Sequence, residues 1–228
     1  MNVINNIKTA FLNLKNKNRF FVSEADFQHS FAMELEKVFN GDAVVLLEFP
    51  IEQQNRIIYV DIMVVYKNEL YPIELKYKTK TIESDSLYMN TNIPVKRILR
   101  KQGAQDLAGY ELWKDINRIE TLIKDGFATS GVCIFITNDM YYLRGKCDVD
   151  AQAFAFRLGT GSHYHGAYHW NIDTKTQIPS YINKKKGFYI YNDYLFDWQD
   201  FYMYDAVNGI FKFLFLEIPR HTGEKYVK

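Results

Sequence analysis

The chain has 228 residues, 47% of them hydrophobic, with a formal net charge of +1. That is enough apolar material for one large domain, or for a domain with an elaborated end. The near-neutral balance excludes a global field that draws the protein to nucleic acid, so any such binding must rest on local basic patches or a partner subunit. Two cysteines, Cys133 and Cys147, make no disulfide scaffold and fit a reducing cytoplasm.

Residues 1–20 (MNVINNIKTAFLNLKNKNRF) lack the apolar h-region of a secretory signal. Ile4, Ile7, Phe11 and Leu14 predict a short amphipathic helix packed on a core rather than on a membrane, and no apolar run approaches a transmembrane length. Ser23 is a good N-cap for a second helix, with Asp26 in the place of the usual capping-box Glu. Phe27, Phe31, Leu35, Val38 and Phe39 form its stripe. Glu24 projects onto the middle of that stripe with Gln28 near it, while Glu34 falls to one side. A first-turn acid is also favoured by the helix dipole, so the position of Glu24 has a plain electrostatic reading as well.

Val44–Ile51, Tyr59–Tyr66 and Leu70–Tyr77 read as strands, with a tight reversal at Lys67-Asn68-Glu69. Pro72 belongs near the start of its strand or on an edge-facing position. Asp61 sits among apolar residues, and Glu74 and Lys76 share one face of the next strand by the period of two. Buried strands have little use for acids. Two carboxylates and an ammonium on neighbouring strands suit a hard divalent cation with a charge clamp beside it, the chemistry of phosphodiester hydrolysis. The plain alternative is a surface salt bridge.

Thr81–Ile93 is a polar insertion that would lie where a substrate enters. Lys96, Arg97, Arg100 and Lys101 form a compact basic group before a helix predicted over Arg100–Lys124. Leu112, Ile116, Ile119 and Ile123 are the buried stripe of that helix, with Gln105 on it and Gln102 at its flank. Gly131–Asn138 is a continuous apolar strand of the kind buried on both faces. Asp139–Asp150 reads as a loop, and Gln152–Leu158, Gly187–Tyr191 and Phe211–Ile218 as strands. The aromatic C-terminal third, with Trp170, Trp198 and YIYNDYLFDWQDFYMY, is expected to pack as a sheet over the core or to form a dimer interface. His163, His165 and His169 offer transition-metal ligands, but their Gly-rich, loop-like setting argues for surface histidines. Lys184–Lys186 reads as a solvated turn.

The order of these elements, with Glu24 on the first helix, Asp61 in YVDI and Glu74-Leu75-Lys76 in IELKYKTK, resembles the PD-(D/E)XK nuclease superfamily over roughly residues 20–140. The strings SEADFQ and KQGAQD are similar to a bacterial branch of it. Val60 stands where the motif has proline, a position that varies in the superfamily. The resemblance implies a mixed α/β, restriction endonuclease-like αβββαβ core; the strands and aromatic residues further on read as a β-rich extension of the same single domain over about residues 150–228. It implies Mg²⁺, or Mn²⁺ as substitute, held by Asp61, Glu74 and the Leu75 backbone carbonyl, with Glu24 acting through water. Lys76 would orient or deprotonate the attacking water, and Gln105 would position the phosphate. Lys78, Lys80, Arg97, Arg100, Lys101 and Gln102 would contact DNA, in a homodimer or with a partner subunit. The alternative is a catalytically silent nucleic-acid-binding or scaffold module on the same fold.

Overall fold

The computed structural model describes residues 2–53, 56–83, 97–144, 149–161, 163–171 and 186–220. Helix α1 (Val3–Lys15) buries Val3, Ile7, Ala10, Phe11 and Leu14. Helix α2 (Glu24–Phe39) starts at Ser23, whose side chain accepts the Asp26 N–H. Asp26 answers one residue further out than a capping box would, taking the Val22 N–H and pairing with Arg19. Phe27, Phe31, Leu35 and Phe39 are buried as the stripe predicts. Glu34 lies off that stripe yet is also buried, because Lys17 and Lys37 both close on it.

Strands β1 (Ala43–Gln53), β2 (Arg56–Tyr66) and β3 (Glu69–Lys78) form an antiparallel meander. Lys67 and Asn68 at the β2–β3 turn both have left-handed φ (50° and 65°), as a type I′ hairpin requires. Strand β4 (Ile82–Glu83) pairs with β5 (Arg97–Leu99), and helix α3 (Gln105–Lys124) follows. Strand β6 (Gly131–Thr137), buried at every position, lies parallel to β3. Pro72 sits inside β3, opposite Met63 of β2 but one residue before the β6 ladder begins at Ile73.

After β6 the chain makes a 3-10 turn at Phe154–Phe156 and a hairpin of β7 (His163–Tyr168) and β8 (Phe188–Leu195). It then forms β9 (Gln199–Met203) and β10 (Ile210–Ile218). The main sheet runs β1-β2-β3-β6-β10-β9, so the last two strands extend the central sheet instead of lying over it. The architecture is mixed α/β, with a mainly antiparallel sheet. One apolar cluster joins α1 and α2 to Ile62, Val64, Ile73, Leu75, Ile134 and Ile136. The other joins Trp113, Ile116 and Ile119 of α3 to Met63, Cys133, Phe135 and the aromatic residues of β7 and β8. Strand periodicity therefore sorts alternate residues of β3 and β6 to opposite layers.

Two further expectations are corrected. The third helix starts at Gln105, not Arg100. Arg97–Leu99 is used for pairing with β4, Gln102 N–H donates to Thr79 O, and Ala104 turns the chain in left-handed conformation (φ 59°). Gln152–Leu158 is not a strand. Its Phe156 folds into the ring cluster of Tyr110 and Trp170, and its carbonyl lies where a Cβ on Gly109 would come within 2.5 Å, so α3 can approach only because residue 109 has no side chain. Most of the Thr81–Ile93 insertion, residues 145–148 with Cys147, and Lys184 and Lys185 lie outside the described residues.

Candidate functional site

Strands β2 and β3 pair from Tyr66–Glu69 to Ile62–Ile73 and then part. Asp61 and Glu74 are the first residues past this fork. Opposite Asp61, on β1, Glu48 takes a left-handed φ of 48°, and the Gln28 amide enters, donating to the Asp61 carbonyl at 2.6 Å and to Glu48 Oε1 at 2.8 Å. Alternation breaks there, since Val60 and Met63 both bury on the α3 side.

Past the fork, β3 has lost its β2 partner and its backbone needs other acceptors. Asp61 Oδ2 accepts the Leu75 N–H at 2.6 Å, and Glu24 Oε2 accepts the Tyr77 N–H at 2.7 Å. The N–H and C=O of a strand residue point to the same side, so the Leu75 carbonyl also faces the opened β2 side. The two acids thus stand in for a missing strand, Asp61 at Leu75 and Glu24 at Tyr77.

The other side of β3 faces α3 across a row of charges. Glu74 Oε1 lies 2.5 Å from Arg118 Nη1, Lys76 Nζ 2.5 Å from Asp115 Oδ2, and Lys78 Nζ 3.9 Å from Glu111. Arg118 Nη1 also donates to the Tyr59 carbonyl, and its Nη2 to Asp115 Oδ1 at 2.9 Å. The Lys76–Asp115 contact is an ion pair by distance, with the ammonium off the line of a good hydrogen bond. Glu111, Asp115 and Arg118 are one helical turn apart and meet the alternate residues 78, 76 and 74 of β3, which fixes the two elements antiparallel.

Burial sets the electrostatics. Desolvation pushes the Asp61 carboxyl up to about 6, against the Leu75 N–H and Lys76, while Asp115 and Glu24 add repulsion. Glu74, 2% exposed, is raised well above the usual range, first by desolvation and then by Asp115, with Arg118 opposing. Burial disfavours the Lys76 ammonium, but Asp115, Asp61 and Glu74 together outweigh it and the pKa rises. Carboxylates raised in this way gain from a cation. Asp61 Oδ1 and Glu74 Oε2 make no hydrogen bond among the described residues. Two carboxylates and a carbonyl suit a hard ion that keeps several waters. They do not suit a transition-metal cage, and the described residues hold no group of three His, Cys, Asp or Glu arranged around a metal.

The chain matches no protein-family model, no curated protein and no solved structure.

Of the sequence-predicted residues, Glu24, Asp61, Glu74, Leu75 and Lys76 come together. Gln105 does not join them: its amide donates to Asp139 Oδ2, and Lys80 pairs with Asp139 Oδ1. Lys78, Lys80, Arg100, Lys101 and Gln102 gather at the end of β3, tied by Thr79 Oγ1 to the Arg100 carbonyl and by Lys101 N–H to Thr81 Oγ1. Arg100, Lys101 and Gln102 are exposed, whereas Lys78 and Lys80 already face acids. The side chain of Arg97 is outside the described residues. His165 and His169 are exposed, and the side chain of His163 is not described. Sequence reasoning missed Asp115 and Arg118. Their signal was present as charges at one-turn spacing beside the α3 stripe, opposite in sign to Glu74 and Lys76.

Proposed function

We propose that the protein is a metal-dependent nuclease of the PD-(D/E)XK type, hydrolysing phosphodiester bonds of DNA at the β2–β3 fork. The observation that carries this reading is the fork itself: two desolvated carboxylates and a backbone carbonyl converge where pairing stops, with Lys76 two residues on. Asp61, Glu74 and the Leu75 carbonyl would hold Mg²⁺. When bound, the ion supplies Lewis-acid stabilisation and lowers the pKa of a coordinated water. The chain's own residues do the rest. Asp115 holds Lys76 as an ammonium, which favours charge stabilisation on the phosphate over proton abstraction. Glu24 keeps one oxygen on the Tyr77 N–H and can offer the other to water in the site. Arg100 and Lys101 would contact the DNA backbone, with Lys78 and Lys80 contributing less because Glu111 and Asp139 already face them.

A second reading, a silent module on the same fold, is favoured by one observation: Asp61 and Glu24 already serve as backbone caps, and Glu74 and Lys76 have partners on α3. Purified protein with plasmid and single-stranded DNA in Mg²⁺ or Mn²⁺, beside Glu74→Gln and Lys76→Met, decides between the two. The nuclease reading expects cleavage by wild type and a loss of at least about a hundredfold in each variant. Full metal-dependent cutting by Lys76→Met overturns the assigned site, and wild type that neither cuts nor binds Mn²⁺ leaves the silent module.

A further inference from the structure

Arg118 is the least expected member of the cluster. Its guanidinium bridges Glu74 Oε1, Asp115 Oδ1 and the Tyr59 carbonyl, so it links α3 to both strands of the fork. A group with five donors in a fixed plane is well matched to several oxygens at once. Its side chain is 19% exposed against 2% for Glu74, so Arg118 is the more accessible member of the pair.

The oxygen that Arg118 engages belongs to the carboxylate that a divalent ion would need. A guanidinium held at 2.5 Å from Glu74 neutralises the charge that attracts a metal and repels a second cation beside it. No other cation lies within ion-pair distance of Glu74 among the described residues; Lys76, on the same face of β3, is directed at Asp115. Asp115 in turn holds both cations, Lys76 by Oδ2 and Arg118 by Oδ1, so Arg118 has a second anion to rest on when Glu74 is taken.

We propose that Arg118 is a resident counter-cation for Glu74, with which a divalent metal must compete to load the fork. This rests on the metal-centre reading above. Guanidinium and metal are then competing occupants of one carboxylate, and Asp115 is the place where the displaced guanidinium remains. Arg118 acts through Glu74 and is a positioning residue, setting how much free metal the protein needs.

Calorimetric titration of the full chain with Mn²⁺, without nucleic acid, tests this. Arg118→Gln is expected to bind Mn²⁺ about tenfold more tightly than wild type, within the range of ordinary coupling between two ligands. A gain in affinity is not something that damage to the fold produces. Should the single variant fail to fold, Arg118→Gln/Asp115→Asn, which removes one charge of each sign, carries the same expectation. Wild-type binding that is lost in Glu74→Gln but unchanged or weaker in the Arg118 variants overturns this inference and leaves the metal centre intact. Absence of Mn²⁺ binding in wild type and in every variant overturns both.

Discussion

Replacing Asp61 with Asn isolates the cost of holding a carboxylate at the fork. An acid whose pKa is raised on folding, here from 3.8 to about 6, binds its proton more tightly in the folded chain. The stability this provides is fully present below about pH 4 and is lost as pH rises through about 6. The interval between 3.8 and about 6 corresponds to roughly 3 kcal/mol, an upper bound because Asp61 is not fully buried and its neighbours can relax. Asparagine keeps the shape, and its amide oxygen can still accept the Leu75 N–H. Urea unfolding of both proteins in a chelator should therefore find Asp61→Asn more stable than wild type by about 1–3 kcal/mol at pH 8, with the gap closing near pH 4. A variant less stable than wild type at pH 8 would refute the reasoning. It would mean that attraction to Lys76 outweighs desolvation and that the fork favours the ionised acid without any metal.

Two further substitutions probe the supports of the site. Glu24→Ala leaves the Tyr77 N–H without its acceptor and should cost about 1–3 kcal/mol in urea unfolding, while Glu24→Gln costs clearly less; equal losses would show that the cap is not what Glu24 contributes. Glu120, fully buried, accepts from the N–H groups of Tyr191 and Asn192, the Asn192 amide and the Tyr194 hydroxyl, and so fastens β8 to α3. Glu120→Ala should cost roughly 3–5 kcal/mol and speed amide exchange at Tyr191 and Asn192; a loss under about 1 kcal/mol would remove it as an anchor.

Local chemistry accounts for what could be read early. The Ser23 cap, the Phe27–Phe31–Leu35 stripe, the Lys67-Asn68 reversal and the apolar run of β6 are each determined by residues a few positions apart, so periodicity and turn chemistry suffice to find them. The same holds for Glu74 and Lys76 on one strand face. The 3-10 turn at Phe154–Phe156 was missed because its alternating Ala and Phe mimic a strand, while its conformation is set by Tyr110, Trp170 and the close approach at Gly109.

By itself, then, the sequence determined the first two helices, the body of the third, the β2–β3 hairpin and the acids Glu24, Asp61 and Glu74 with Lys76. Only the tertiary structure decided where β2 and β3 part, that β9 and β10 extend the central sheet, and that Arg118 and Asp115 complete the charge cluster while Gln105 turns to Asp139. Those outcomes depend on pairing between residues far apart in the chain. Patterning over a few residues carries the face a side chain occupies but not the partner across from it.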